Sequence, residues 1–485
     1  MERAKRKFVL CVVALLAGMA IFLAKSVLFP PTVPDSLFRN GSVEEIREAL
    51  NKGINVDGRN AEGRTPLFLA AMSNPDPEAI RLLVASGAAV NARALDGVTP
   101  LATAAGLNPS VGVTKALIEA GADVNSLDNR GNCVLIGALI SNKNLDVART
   151  LIRSGANMNV YKANLDVTLI FSALTGNFST SDMCEIVRMM GKAGADYNFE
   201  NNDGTTPLLL AIALDLPVEV IRALIDSGAD VRRPNRNGIR PLASVAMTSR
   251  RADDIVELLR AGANIDDRSG DSGLTALMFA AAANVNPDMV SVLIREGANV
   301  ELRDYQGNTA LALAARYNRS SVPLQALADG GARVNVRNEE KWTPLLYAIQ
   351  DNANSSVAKL LIRYGADVNA AAPDGNTPLL LAVSGKNCSL LLPTLLGAGA
   401  DVNFPDAKGM TPLMRALQAD VSPTDILDLL KAGADFDAMD ASGKTALTYI
   451  RPPEGRQRPI RRAQAFRFFR DEEFRRALSR RTFFD

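Results

Sequence analysis

Between residues 42 and 450 the apolar residues fall in paired short bursts separated by polar turns. Leu67, Leu69, Ala70 and Ala71 form one burst, and Ile80, Leu82, Leu83 and Val84 form the next. The polar turn Asn74–Pro75–Asp76–Pro77 lies between them, and a polar stretch from Asn91 to Gly97 follows. Spacings of three and four residues put each burst on one face of a short helix. The pattern then repeats. Its leading leucine stands at Leu67, Leu101, Leu135, Leu169, Leu208, Leu242, Leu277, Leu311, Leu345, Leu379, Leu413 and Leu447. Nine of the eleven steps are 34 residues, one is 35 and one, Leu169 to Leu208, is 39. A period of this size signals stacked repeats, in which neither helix of a unit can bury its apolar side without neighbours. Each leucine so buried contributes roughly 1.5–3 kcal/mol.

The punctuation fixes where each helix starts and stops. Thr65 before Pro66 suits a helix start: the hydroxyl accepts a free N–H of the first turn, and proline has no N–H to leave unpaired. The second helix is predicted to begin near Pro77. Gly87 ends it by taking the left-handed backbone that other residues resist. The opening Thr-Pro-Leu recurs from Thr65, Thr99, Thr206, Thr343, Thr377 and Thr411. The closing Gly-Ala-x-x-Asn recurs from Gly87, Gly121, Gly155, Gly194, Gly331, Gly365 and Gly399. These phrases resemble the ankyrin repeat over residues 42–450. The resemblance implies an all-α ankyrin-repeat solenoid of about eleven to twelve repeats, with short β-hairpin loops, acting through its concave surface.

Several positions depart from that pattern. The histidine that usually follows Thr-Pro-Leu is replaced by Phe68, Ala102, Leu209, Leu346, Leu380 and Met414, which trades a hydrogen bond for apolar packing. Cys133 stands where a threonine cap is expected. The extra residues after Leu169 are predicted to lengthen the turn near Gly176 to Asp182, and the hairpin Asp266–Gly273 holds one extra residue. Asn40 to Asn51 reads as one amphipathic helix, an N-terminal capping half-repeat.

Charge and hydropathy change the picture at the two ends. Net charge is +1, with residues 1–7 at +3, residues 451–485 at +6 and the body at −8. An acidic repeat body argues against nucleic acid as partner. Residues 1–7 form a basic flank and Phe8–Ala24 carries no charge, extendable through Val27, Leu28 and Phe29. That length reaches the short end of a membrane span. Residues 8–29 therefore read as a transmembrane signal-anchor or as a cleaved signal peptide, with Gly18–Met19–Ala20 as a weak cleavage site. Either reading places the repeats outside the cytoplasm, periplasmic in a bacterium, as an anchored or a secreted protein. The proline-rich run 30–41 reads as a stiff spacer. The tail 451–485 carries eleven arginines and a row of phenylalanines. It reads as a helical cap on the last repeat or as a basic helix for anionic lipid or an acidic partner. Asn40 and Asn318 head Asn-x-Ser triplets, meaningful only in a glycosylating pathway.

Candidate chemistry is sparse. The chain has no histidine, which excludes Ser-His-Asp and Cys-His catalysis and histidine metal sites. Its four cysteines lack paired spacing and read as unpaired thiols, with Cys133 and Cys184 the one conceivable redox pair. Asp96, Asp203, Asp304, Asp374 and Asp406 recur in hairpins and read as turn formers. No catalytic residue, cofactor, metal or small-molecule substrate is indicated, and a carboxylate enzyme is the remote alternative. What remains is a surface for a protein partner. Leu95, Met247 and Met410 are among the positions expected on it. Its aromatic part gathers Tyr305, Arg316, Tyr317 and Trp342, with Glu339, Glu340 and Gln350 beside them. Trp, Tyr and Arg most often carry binding energy, which makes this cluster the candidate partner site.

Overall fold

The computed structural model describes residues 35–142, 144–160, 168–176, 178–283, 286, 288–385, 387–419 and 421–449. The proposed membrane segment 8–29 and the basic tail 451–485 lie outside the described residues. Within them are 24 α-helices and one 3₁₀ turn, Ala446–Tyr449. They divide into two compact units. One comprises the described residues up to 202 with 206–210 and 222–230, and the other 203–205, 211–221 and the described residues from 231 on.

Each unit is a series of helix pairs. In the first, Pro66–Ser73 is capped by the Thr65 hydroxyl, which accepts from the Phe68 N–H, and Pro77–Ala85 is capped by Asp76. The same threonine cap recurs at Thr99, Thr206, Thr343, Thr377 and Thr411. Cys133 makes no side-chain cap, as its side chain dictates. The second helix ends at Gly87, whose φ is +93°. Ile80 and Leu83 are fully buried, Leu82 and Val84 partly so. Five of the six residues in place of the histidine join the core: Phe68, Leu209, Leu346, Leu380 and Met414 are buried, while Ala102 is partly exposed. Phe68 packs with Met72, Ala94 and Val98.

Four expectations are corrected. The N-terminal half-repeat is a helix pair, Asp35–Asn40 and Val43–Asn51, because Ser42 and Glu45 form a reciprocal capping box that stops one helix and starts the next. Four of the five residues inserted after Leu169 go into the second helix: Thr180–Lys192 has 13 residues, where Pro77–Ala85 has 9. Met410, expected at the surface, is only 7% exposed. The hairpins contain no strand among the described residues. They carry three isolated bridges, Leu127–Cys133, Ser269–Leu274 and Met439–Thr445.

Asparagine side chains supply what strands would have. Asn91, at the end of one hairpin, accepts from the Asp123 N–H (2.8 Å) and donates to the Gly121 carbonyl (3.1 Å) in the next repeat. Asn125, Asn198, Asn369 and Asn403 make the same double bridge. A second, buried ladder runs through the turns between paired helices. Asn108 Nδ2 donates to the carbonyls of Ala71 (3.1 Å) and Asn74 (2.8 Å), while its Oδ1 accepts from the Ser110 N–H (2.9 Å). Asn142 and Asn352 repeat this arrangement one period from their carbonyl partners. Asn318 points inward in the same way, donating to the Ala281 carbonyl, so its amide does not present itself for glycosylation.

Asn108→Ala should therefore strand two buried carbonyls and an N–H. Loss of about 2–3 kcal/mol is expected in urea unfolding. Unchanged stability would mean the ladder is not structural.

Candidate functional site

The aromatic cluster lies in the second unit, on two successive repeats with first helices Ala310–Tyr317 and Pro344–Gln350. Hairpins at 304–308 and 338–342 precede them. In each hairpin an Asp or Asn side chain folds back on its own loop. Asp304 accepts from the Gln306 and Asn308 N–H groups (2.9 and 2.8 Å), and Asn338 accepts from the Trp342 N–H (2.8 Å). The tips are joined across repeats. Tyr305 N–H donates to the Ser272 carbonyl and Glu339 N–H to the Gln306 carbonyl, both at 3.0 Å.

The structure brings Arg316, Tyr317 and Trp342 together through Tyr347, which the sequence reading missed, and Asp351, which it places on the same surface but outside the aromatic cluster. Trp342 stacks on Tyr347, with ring centroids 5.1 Å apart and planes 27° from parallel. The Arg316 guanidinium lies 4.6 Å from the Tyr347 ring centroid and 5.0 Å from that of Tyr317. Its Nε donates to Asp351 Oδ2 at 2.7 Å. Trp342, Tyr347, Arg316 and Tyr317 thus make a row of four flat groups. Each cation–π contact here is worth about 0.5–1 kcal/mol at partly exposed sites. The row is anchored from beneath, because Asn338 Nδ2 donates to the Tyr347 hydroxyl (2.8 Å) and to Asn308 Oδ1 (2.9 Å). Burial raises the Tyr347 phenol above its ordinary pKa despite the adjacent Arg316 charge. Burial alone would lower the Arg316 pKa, but Tyr317, Asp351 and Tyr347 outweigh it and raise the group. Both residues keep their ordinary protonation near neutral pH.

The row is buried at one end and open at the other. Tyr347 is buried, Trp342 half-buried, and Tyr317 is 56% exposed. Gln350, Glu339 and Glu340 are exposed around it. Tyr305 stands apart on the preceding hairpin tip, 67% exposed, with Arg268 5.4 Å from its ring centroid. Its ring covers Gly273, where a Cβ would lie 2.6 Å from the phenol carbons. Tyr347 follows Thr343-Pro344-Leu345 in a helix whose neighbours are core residues, so the sequence offered no signal that it also backs a surface. Asp351 caps the end of the helix Pro344–Gln350, and its pairing with Arg316 spans 35 positions.

One backbone feature singles out this hairpin. Gly307, Gly375 and Gly409 take left-handed backbone with φ between +76° and +80°, and Lys341 takes the same conformation at +65°. A side chain there costs about 1–2 kcal/mol, and such strain gathers at functional sites.

The other candidates fall into the scaffold. Asp96, Asp304, Asp374 and Asp406 each accept backbone N–H groups of their own turn. Burial alone would raise the Asp406 carboxyl, but Arg415 and the Met410 and Lys408 N–H groups hold it below the usual range. Cys133, Cys184 and Cys388 are buried, and no disulfide joins Cys133 to Cys184. Burial and Asp425 push the Cys388 thiol up to about 12. Among the described residues no group of three His, Cys, Asp or Glu side chains could hold a metal. No helix among them is long and apolar enough to cross a membrane.

Stacked helix pairs with a rigid, hairpin-lined surface define a repeat scaffold for recognising other proteins. Two family models match the chain. One, described as ankyrin repeats (3 copies), covers residues 71–162, 173–269, 245–324 and 322–394. The other, ankyrin repeats (many copies), covers residues 35–84. The chain belongs to the ankyrin-repeat family, and its fold is an all-α repeat solenoid. Proteins built of these repeats are generally non-catalytic binding scaffolds. No curated protein matches the chain.

Lys341→Gly removes the left-handed side chain and should raise stability by about 1 kcal/mol. A neutral or lower midpoint in denaturant would show that the lysine side chain compensates the strain through contacts of its own.

Proposed function

We propose that this protein is a membrane-tethered ankyrin scaffold that binds a protein partner outside the cytoplasm, with the row Trp342–Tyr347–Arg316–Tyr317 as the centre of the contact. The observation that carries the reading is the row itself. Its inner members are fixed by hydrogen bonds and stacking, while Tyr317 projects into solvent with its neighbour Arg316 already oriented. Side chains ordered before binding lose little rotamer freedom on contact, so less of the contact energy is spent on ordering. Tyr305, Glu339, Glu340 and Gln350 supply a polar and aromatic rim. The tether is residues 8–29. Its support is the uncharged run Phe8–Ala24 behind the basic flank Arg3, Lys5, Arg6 and Lys7.

Crosslinking in intact cells followed by mass spectrometry, with wild type beside Tyr317→Ala, tests the contact. Recovery of the partner should fall at least tenfold, while stability changes by no more than about 0.5 kcal/mol, as for a surface substitution. Equal recovery from both proteins would remove the row from the interface. The tether is tested separately by intact mass and alkaline extraction of membranes. A full-length chain retained in the membrane pellet is expected. A chain lacking its first 20–24 residues and released to the supernatant would instead make it a secreted ankyrin protein.

A further inference from the structure

The last described repeat ends with part of its apolar side uncovered. The leading leucine of the period is at most 4% exposed at eleven positions, from Leu67 to Leu413, but 60% exposed at Leu447. The position thirteen residues after Leu67, Ile80, is fully buried, as are its counterparts Ile221, Ile255, Leu324 and Leu392. Its counterpart in the last full helix pair, Ile426, is only partly buried. Yet a further repeat has begun. Asp440 accepts from the Ser442 and Lys444 N–H groups, as Asp406 does in the preceding hairpin, and the Ala446–Tyr449 turn opens where a first helix is due.

We infer that residues 456–466 of the basic tail occupy this face as the second helix of that final repeat. Register carries the assignment. Thirteen residues beyond Leu447 stands Ile460, in step with Ile80, and sixteen beyond stands Ala463, in step with the buried Leu83. Pro459 precedes Ile460 as Pro323 precedes Leu324 at the start of the helix Val322–Asp329. Charge agrees. Residues 456–467 hold five arginines and no acid, while 423–449 hold five aspartates against two lysines. Arg467 stands where Gly87 closes the earlier helix, so this segment completes a pair without turning into another hairpin.

Hydrogen–deuterium exchange of the full-length protein, with its mass followed by light scattering, tests the assignment. In the monomer, peptides covering 424–430, 446–449 and 459–466 should exchange at least tenfold more slowly than unstructured chain. Ile460→Asp should restore fast exchange in all three, whereas Thr482→Asp, outside the register, should leave them protected. Fast exchange over 459–466 in the folded wild-type monomer overturns the proposal, whatever the variants do. Protection found only in dimeric fractions overturns it in favour of a second copy on this face. Protection found only with phosphatidylserine vesicles overturns it in favour of a lipid-binding tail.

Discussion

A helix of seven to nine residues is too short to persist alone in water, and its apolar stripe has nothing of its own to lie against. Everything in this protein follows from that constraint. Each helix pair removes its leucines from water only by lying on the pair before it, and the next pair covers what is left. Within each unit the arrangement is therefore as much a contact between repeats as within them. The apolar term is large but indifferent to small shifts. The asparagine ladders are not indifferent, since each amide has to meet a carbonyl of the adjoining repeat. Burial drives the stacking, and the amides fix its spacing.

The same division explains where function can reside. Residues that stack or bridge are committed: Leu345, Asn338, Asn352 and Thr343 are all buried. Positions on hairpin tips and on the last turn of each first helix are free to vary, and there the chain places Tyr305, Arg316, Tyr317 and Gln350. The Trp342–Tyr347 stack joins the two sets. Tyr347 belongs to the core by burial and to the surface by what rests on it, so stability and recognition share one side chain. Lys341 is the one strained residue of this region, in a turn that is glycine in the neighbouring repeats at Gly307 and Gly375.

Much of this was legible before any coordinate. Period, caps and closing glycines gave the helix pairs nearly residue by residue, because these are local rules: a threonine hydroxyl reaches three residues, and a glycine sets its own φ. The misreadings share one cause. A helix, Asp35–Asn40, stands at the end of the run read as an extended spacer, and the insertion after Leu169 lengthens a helix more than a turn. Met410, placed at the surface by its position in the repeat, is buried. In each case apolar spacing within a window could not report which option the surroundings favour.

The sequence by itself determined the repeat, its period, the all-α class and the absence of histidine, since those depend on residue identity at fixed spacing. Only the tertiary structure decided that Tyr347 and Asp351 complete the aromatic row, that Asn108 and Asn142 tie neighbouring turns, and that Asn318 faces inward. Those outcomes depend on groups about 35 residues apart arriving within hydrogen-bond or van der Waals distance. That is a property of how one repeat lies on the next, and no single repeat contains it.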